Sequence, residues 1–323
     1  MYFPYLRGRQ FELLALKELL DQNIISNKVI PIIEPVKFSS TLTNTIDLYN
    51  EKKHPIALIR NPQAGSFMNE YESVKNAALA ADEKQKKKFD AFVETVKNAN
   101  TYSTFILTTG IQRYLDSIVD DKGGLDKIAI IMTDNDMPEL YKDLLKMHPA
   151  LFTLIPDKRA FKRAVFGDRV LLENKFGRQS RNTDYEDNSD EFFSDDHIYF
   201  KDEGYVGFSD YSIVGDEFMM SGFAPYAVAI HIVYPKDGTL RIRHFVSNSN
   251  EDIQNPAKKF SEAINKVVDW KKNVAGVDTI AMKTLEQHCI DGTYPGLGTI
   301  KKLCIMHHLE LVSTSLDSEN GVL

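Results

Sequence analysis

The chain has 323 residues, 43% hydrophobic and 26% charged, with 39 basic side chains against 46 acidic ones and a net charge of −7 at pH 7. That composition supplies a large core, excludes a chain disordered throughout, and lacks the broad basic surface of a general nucleic-acid binder. No run of about 18 apolar residues predicts a membrane span. The opening Met1–Arg7 lacks the apolar stretch of a secretory signal, and two cysteines, Cys289 and Cys304, are too few for a disulfide framework, so a cytoplasmic setting is expected.

Short apolar runs recur at Tyr2–Leu6, Val29–Ile33, Pro55–Ile59, Ser103–Leu107, Lys127–Met132, Leu151–Ile155 and Arg169–Leu172. They are continuous in hydrophobicity rather than alternating, the pattern of parallel strands buried on both faces. Helical segments lie between most of them. Gln10–Asn23 sets Leu13, Leu16 and Leu20 on one face, and an extended stretch from Glu70 to Asn98 offers Val74, Phe89, Phe92 and Val96 to a core. Met137–Met147 places Pro138 near the first helical position, behind Asn135 and Asp136 as caps. With Tyr205–Ser209 as an eighth strand the units close a barrel. No Gly-x-Gly-x-x-Gly follows the first strand, so the dinucleotide-binding fold lacks its fingerprint. The expected fold is an irregular TIM-like (β/α) barrel with a C-terminal β-hairpin and helices.

The stretch 176–204 interrupts this rhythm. It holds Asp184, Glu186, Asp187, Asp190, Glu191, Asp195, Asp196, Asp202 and Glu203, matches no EF-hand template, and reads as an acidic loop whose segment Asp184–Asp196 is mobile and dispensable for folding. Beyond it, Tyr226–Tyr234 and Leu240–Ser247 read as strands joined by Asp237-Gly238, a strong hairpin signal. Three helices follow: one capped by Asn255 with Pro256 at its first position, one from Thr279 to Asp291 stopped by Gly292, and one from Thr299 to Ser313. The tail Ser315–Leu323 reads as frayed. Residues 1–215 are expected to form the barrel-like region with its acidic loop, and 216–323 the hairpin and three helices packed on it, as one structural unit.

In a parallel barrel, function gathers at the carboxyl ends of the strands. Those ends carry Arg7, Glu34, Lys37, Arg60, Asn61 and Asp210, joined by Thr108, Thr133, Asp157, Glu173 and Lys175. Arginines there suit a phosphate or carboxylate, and the carboxylates a general base or a metal. Ordinary ion pairing around the rim explains the same residues. The segment from Gly292 to Lys302 places Gly296 and Gly298 ahead of a helix opened by Thr299, with Lys301 close behind. Free amides there make an anion site, or simply a tight connection with Thr299 as N-cap. His307-His308 point about 100° apart on a helix, so one is expected in the core and the other in solvent. Cys289 and Cys304 read as buried, inert thiols. Basic runs occur at Lys84–Lys88 and at Lys158, Arg159, Lys162 and Arg163, the latter with Phe161 and Phe166 between and after the charges. The first reads as the exposed face of the long helix; a solvated face or a nucleic-acid or nucleotide contact accounts for the second.

A two-residue turn at Asp237-Gly238 sets the hairpin register, and His231 then faces His244 on a stripe with Ala229, Val233, Ile242 and Val246. Two histidines there need a shared metal, with Asp210 as third ligand, or hydrogen-bond partners as neutral core residues. No metal ligand set is assigned.

Met1–Gln10, Ile30–Pro35, Gly207–Tyr211, the strands with His231 and Arg241–His244, and Gly292–Glu310 together resemble an uncharacterised bacterial family related to the "beta protein" family. The resemblance spans nearly the whole chain. It implies a gene beside a small protein resembling a PD-(D/E)XK restriction-type nuclease, often on mobile elements, and so a two-component module of the kind used in phage defence. The family carries no established catalytic residues. Three functions are therefore expected in turn: a recognition or control subunit that binds a phosphate-bearing ligand or the nuclease-like partner, a phosphoester hydrolase with carboxylate-bound Mg²⁺ at the barrel mouth, or a structural homo-oligomer.

Overall fold

The computed structural model describes residues 1–80, 82–111, 128–145, 150–219 and 225–318. The expected strand start at Lys127, the helix end at Met147 and the tail beyond Ser318 lie outside them. The chain forms two compact units. The first is built from Met1–Leu13, Val29–Glu173 and Tyr199–Asp210, the second from Leu14–Lys28, Asn174–Ile198 and Tyr211–Leu323.

The first unit is a parallel barrel. Its strands are β1 (Tyr5–Leu6), β2 (Ile32–Ile33), β3 (Ile56–Ile59), β4 (Thr101–Ile106), β5 (Ile128–Ile131), β6 (Phe152–Ile155) and β7 (Arg169–Leu172). The ring is completed by β9 (Gly207–Ser209), and each strand pairs in parallel with the next. Sequences such as Ile-Ala-Leu-Ile in β3 and Ile-Ala-Ile-Ile in β5 are buried at every position, as helices outside and packed side chains inside require. Tyr2 bridges Val29 on one side and Phe208 on the other. Phe3 N donates to Phe208 O at 2.8 Å and Tyr5 N to Asp210 O at 2.8 Å, which shuts the last seam.

The intervening helices are α1 (Gln10–Asp21), α2 (Ser40–Glu51), α3 (Phe67–Leu79), α4 (Glu83–Lys97), α5 (Met137–Leu145) and α6 (Arg159–Ala164). The stretch expected as one helix from Glu70 to Asn98 is two. Asp82 stands between them in extended conformation and accepts from the amides of Lys84 and Gln85, capping α4. Phe38, Phe67, Tyr71 and Phe92 then interlock where α3 and α4 meet the β2 loop, with ring centroids 5.0–5.9 Å apart.

The second unit corrects the acidic-loop expectation. Asn182–Glu186 is a 3₁₀ turn, and Asp190–Ser194 is β8, paired antiparallel with β11 (Thr239–Val246), which in turn pairs with β10 (Ala229–Lys236). The cause is charge neutralisation by residues distant in sequence. Asp190 accepts from Tyr234 Oη at 2.7 Å, Arg241 Nε at 2.7 Å and Arg243 Nη1 at 3.4 Å. Burial alone would raise the Asp190 carboxyl, but the hydroxyl and guanidiniums outweigh it and hold it below its ordinary value. The turn residues Asp237 and Gly238 both have positive φ, 52° and 80°, as a two-residue type I′ hairpin requires. His231 therefore lies opposite His244.

A short helix α7 (Asp196–Tyr199) follows β8, and three long ones complete the chain: α8 (Pro256–Lys271), α9 (Ile280–Ile290) and α10 (Leu297–Asp317). Trp270 of α8 packs on Tyr234 and Phe245 at 5.0 and 5.2 Å. Two expected caps differ. Asn255 sits in left-handed conformation and makes no side-chain cap bond, and the cap position of α10 is Gly296, at φ 89°, with Thr299 already inside the helix. His307 and His308 are both buried, not divided between core and solvent. Cys304 is buried, whereas Cys289 is half-exposed and donates to Asn265 Oδ1.

The seam depends on close approach. A Cβ on Gly207 would stand 2.6 Å from Met1 O and 2.7 Å from Phe3 Cε2. We expect Gly207→Ala to destabilise the barrel by about 1–3 kcal/mol, read as a lower urea midpoint for the transition that reports on Phe3 and Phe208.

Candidate functional site

Because every barrel strand is parallel, Arg7, Glu34, Arg60 and Asp210, each placed just beyond a strand end, lie at the same end of the sheet. What each one does there differs. Glu34 is fully buried. One oxygen, Oε2, accepts from Tyr5 Oη at 2.7 Å and from the Arg7 guanidinium. The other, Oε1, accepts from the amides of Gln63 at 2.7 Å and Ala64 at 3.1 Å. An ionised carboxylate has about four lone-pair sites, and four donors fill them. Glu34 is thus spent on structure and has no free direction for a proton or a cation. Arg7 also lies over the Tyr5 ring at 5.1 Å.

Asn61 is committed as well. Its carboxamide donates to Ile106 O at 2.8 Å and accepts from Ile106 N at 2.9 Å, fastening the end of β3 to β4. Asp210, also buried, accepts from Tyr2 Oη at 2.7 Å. Asp157, just past the end of β6, is exposed, pairs with Lys162 and accepts from Tyr205 Oη at 3.0 Å.

The loops after β2 and β3 are tied to each other at several points. Besides the Glu34 bonds, Ser66 N donates to Val36 O at 2.9 Å. Gly65, at φ 79°, lies so close to Val36 that a Cβ would stand 2.3 Å from its carbonyl oxygen. Phe38 N donates to Glu70 Oε2 at 2.9 Å, and Lys88 Nζ donates to Phe38 O at 3.1 Å. These loops also carry Lys37 and Arg60, neither of which has an anionic partner among the described residues. Lys37 is exposed. Arg60 is half-buried, its backbone amide donates to Thr104 O, and its guanidinium makes no hydrogen bond or ion pair. Burial pulls Arg60 below the ordinary guanidinium value, with the nearby Tyr71 opposing the shift. It still carries its charge at any physiological pH.

In the second unit, His231 Nδ1 and His244 Nδ1 are 2.7 Å apart, and His244 Nε2 is 3.2 Å from Glu191 Oε1. A carboxylate only accepts, so His244 carries its proton on Nε2. Its Nδ1 then accepts from His231 Nδ1–H, and both rings are neutral. Tyr185 packs against His231 at 4.6 Å and His244 at 4.7 Å, with Phe176 at 5.1 Å from His231. The carboxylate at the pair is Glu191, not Asp210. Among the described residues no group of three or more His, Cys, Asp or Glu side chains could hold a metal ion. Burial pushes His231 down, with the repulsion a protonated His244 would exert and the charge of Lys301 adding to it, and burial also lowers His244 against the pull of Glu191.

Gly296, Gly298, Thr299 and Lys301 belong to the α9–α10 connection and the first turn of α10. The adjacent Lys302 pairs with Glu18 at 2.6 Å. His307 does structural work next to them. Val233 O accepts from His307 Nε2 at 2.6 Å, so Nδ1 accepts from Thr279 Oγ1 at 2.7 Å. Burial brings His307 down to about 4 and His308 to about 3.

Sequence reasoning missed Tyr5, Gln63 and Ala64 around Glu34, and Tyr185, Phe176 and Glu191 around the histidines. A signal existed for Tyr5, which shares a strand face with Arg7 two residues on. No local pattern announces the others. Comparison with known protein families, curated proteins and solved structures finds no match. Among the described residues no helix is long and apolar enough to cross a membrane.

Two outcomes follow. Glu34→Ala leaves the Arg7 guanidinium and two loop amides without their acceptor, and should destabilise the barrel by about 3–5 kcal/mol in a denaturant titration. The histidines, lowered in the folded chain and near 6.5 unfolded, bind more protons when unfolded. Their stabilisation is complete above about pH 6.5 and lost as pH falls toward the folded values. The melting temperature of the second unit should therefore drop between pH 7 and pH 5, and drop less in His231→Gln/His244→Gln.

Proposed function

We propose that this chain is the recognition or control subunit of a two-component bacterial module, acting with a PD-(D/E)XK nuclease-like protein, with phage defence as the setting. Its barrel mouth binds a phosphate-bearing ligand. The observation that carries the ligand reading is Arg60: a half-buried guanidinium at a strand end, with no acceptor among the described residues. A desolvated cation is costly unless something completes it. A phosphate oxygen pair matches the fork of an arginine, and Lys37, on the same pair of loops, adds a second positive charge. The resemblance noted in the sequence supports the nuclease-like partner. The recognition role, rather than hydrolysis, is supported by the commitments of Glu34 and Asp210.

The test is calorimetric titration with pyrophosphate and a panel of nucleoside phosphates, together with co-purification of the neighbouring nuclease-like protein. Wild type should bind at least one phosphate compound. Arg60→Ala should weaken it roughly 10- to 100-fold, the range of a lost charge-assisted bond, with an unchanged melting temperature because the side chain makes no internal bond. Equal binding by Arg60→Ala, or no binding across the panel, removes the mouth from the reading. Failure to co-purify removes the partner.

A further inference from the structure

The short helix α6 presents a second surface in the barrel unit. Its Phe161 and Ala164 are 1% and 0% exposed and anchor it inward. Arg159 and Arg163, four residues apart, therefore share the outward side, and both are exposed. Neither has a carboxylate partner among the described residues; Arg163 Nε donates only to Arg159 O, at 3.2 Å. Lys158, exposed, opens the helix and is held by Asn135 Oδ1 at 3.1 Å. Lys162, by contrast, is neutralised by Asp157. Just past the helix, Phe166 is 72% exposed. From Asp157 to Arg169 there are five cationic residues and two acidic ones, on a chain whose net charge is −7.

We infer that Lys158, Arg159, Arg163 and Phe166 form a contact surface for single-stranded nucleic acid. The two uncompensated guanidiniums and the lysine meet successive phosphates. Phe166 offers an open ring for an unstacked base. A duplex keeps its bases stacked and gives such a ring nothing to hold, whereas single strands are bound by this combination of a cationic track and an aromatic platform. An isolated exposed phenylalanine is common on protein surfaces. Its place beside arginines that lack acids is what distinguishes this one. The surface is independent of Arg60, which belongs to the loop after β3.

The test is fluorescence anisotropy of the whole chain with labelled DNA and RNA single strands of about 20 nucleotides, an ample length for one such surface, and with the matching duplex. Measurements are made at about 50 and 200 mM salt. Wild type should prefer single strands. Phe166→Ala should weaken them roughly tenfold, and Phe166→Trp should restore binding. Arg159→Ala/Arg163→Ala should flatten the log-log salt slope by about 1.4, the loss of two phosphate contacts on a single strand. Arg60→Ala should bind oligonucleotide as wild type does, so this result and the phosphate titration fail separately. Circular dichroism of each variant checks the fold. No binding at low salt, equal binding of the duplex, wild-type binding by Phe166→Ala, or equal competition by polyglutamate would each overturn the inference.

Discussion

A buried carboxylate is the most demanding group a small barrel can carry, because its charge is stable inside only if every lone pair finds a donor. Glu34 meets that condition with a phenol, a guanidinium and two amides. The donors come from β1, from the segment just after it and from the loop after β3, so one side chain fixes three neighbouring parts of the rim. The tight approach of Gly65 to Val36 is possible only because position 65 carries no Cβ, and it adds a further tie between those loops. Rigidity at this end of the sheet comes from saturation of polar atoms.

The same accounting of donors and acceptors shows which groups are left over. Asn61, Asp210 and Glu34 resemble site residues by position, yet each is occupied by the protein itself. Arg60 and Lys37 are not. In the second unit the free edge of β10 is treated likewise. The carbonyl of Val233 is met by His307, and the amide of His231 by the Cys304 sulfur. Burial raises that thiol to about 12, so it acts as a packing and edge-covering group. A helix thereby covers the strand edge that would otherwise be open to pairing.

Much of the fold was legible because its causes are local. Strands buried on both faces write themselves as unbroken apolar runs, and Asp237-Gly238 fixes a turn type that sets the whole hairpin register. Even the break between α3 and α4 had a local mark in Asp82, masked by helical periodicity on both sides. β8 was illegible for the opposite reason. Asp-Glu-Phe-Phe-Ser looks like solvated chain until Arg241 and Arg243, some fifty residues later, neutralise Asp190, and His244 donates to Glu191. His308 is similar: its burial depends on Ser212 and Phe193, 2.9 Å away and in ring contact respectively, and neither is near in sequence. For the rim, position was readable but occupancy was not, since donors such as the Gln63 and Ala64 amides carry no residue signature.

The second unit is assembled from three separated pieces of chain, and its Leu14–Lys28 piece meets the last long helix through Ser26 N and Ser313 Oγ, 2.7 Å apart and 287 residues distant in sequence. On a ribosome adding roughly 5–20 residues per second, that early segment waits on the order of 15–60 s for its partner. During that interval Ser26 and Lys28 lack Ser313, Leu316 and Asp317, the partners they meet in the finished protein. The interleaving thus leaves the second unit incomplete until nearly the whole chain has been made, because its first piece, Leu14–Lys28, has to meet a helix that is synthesised last.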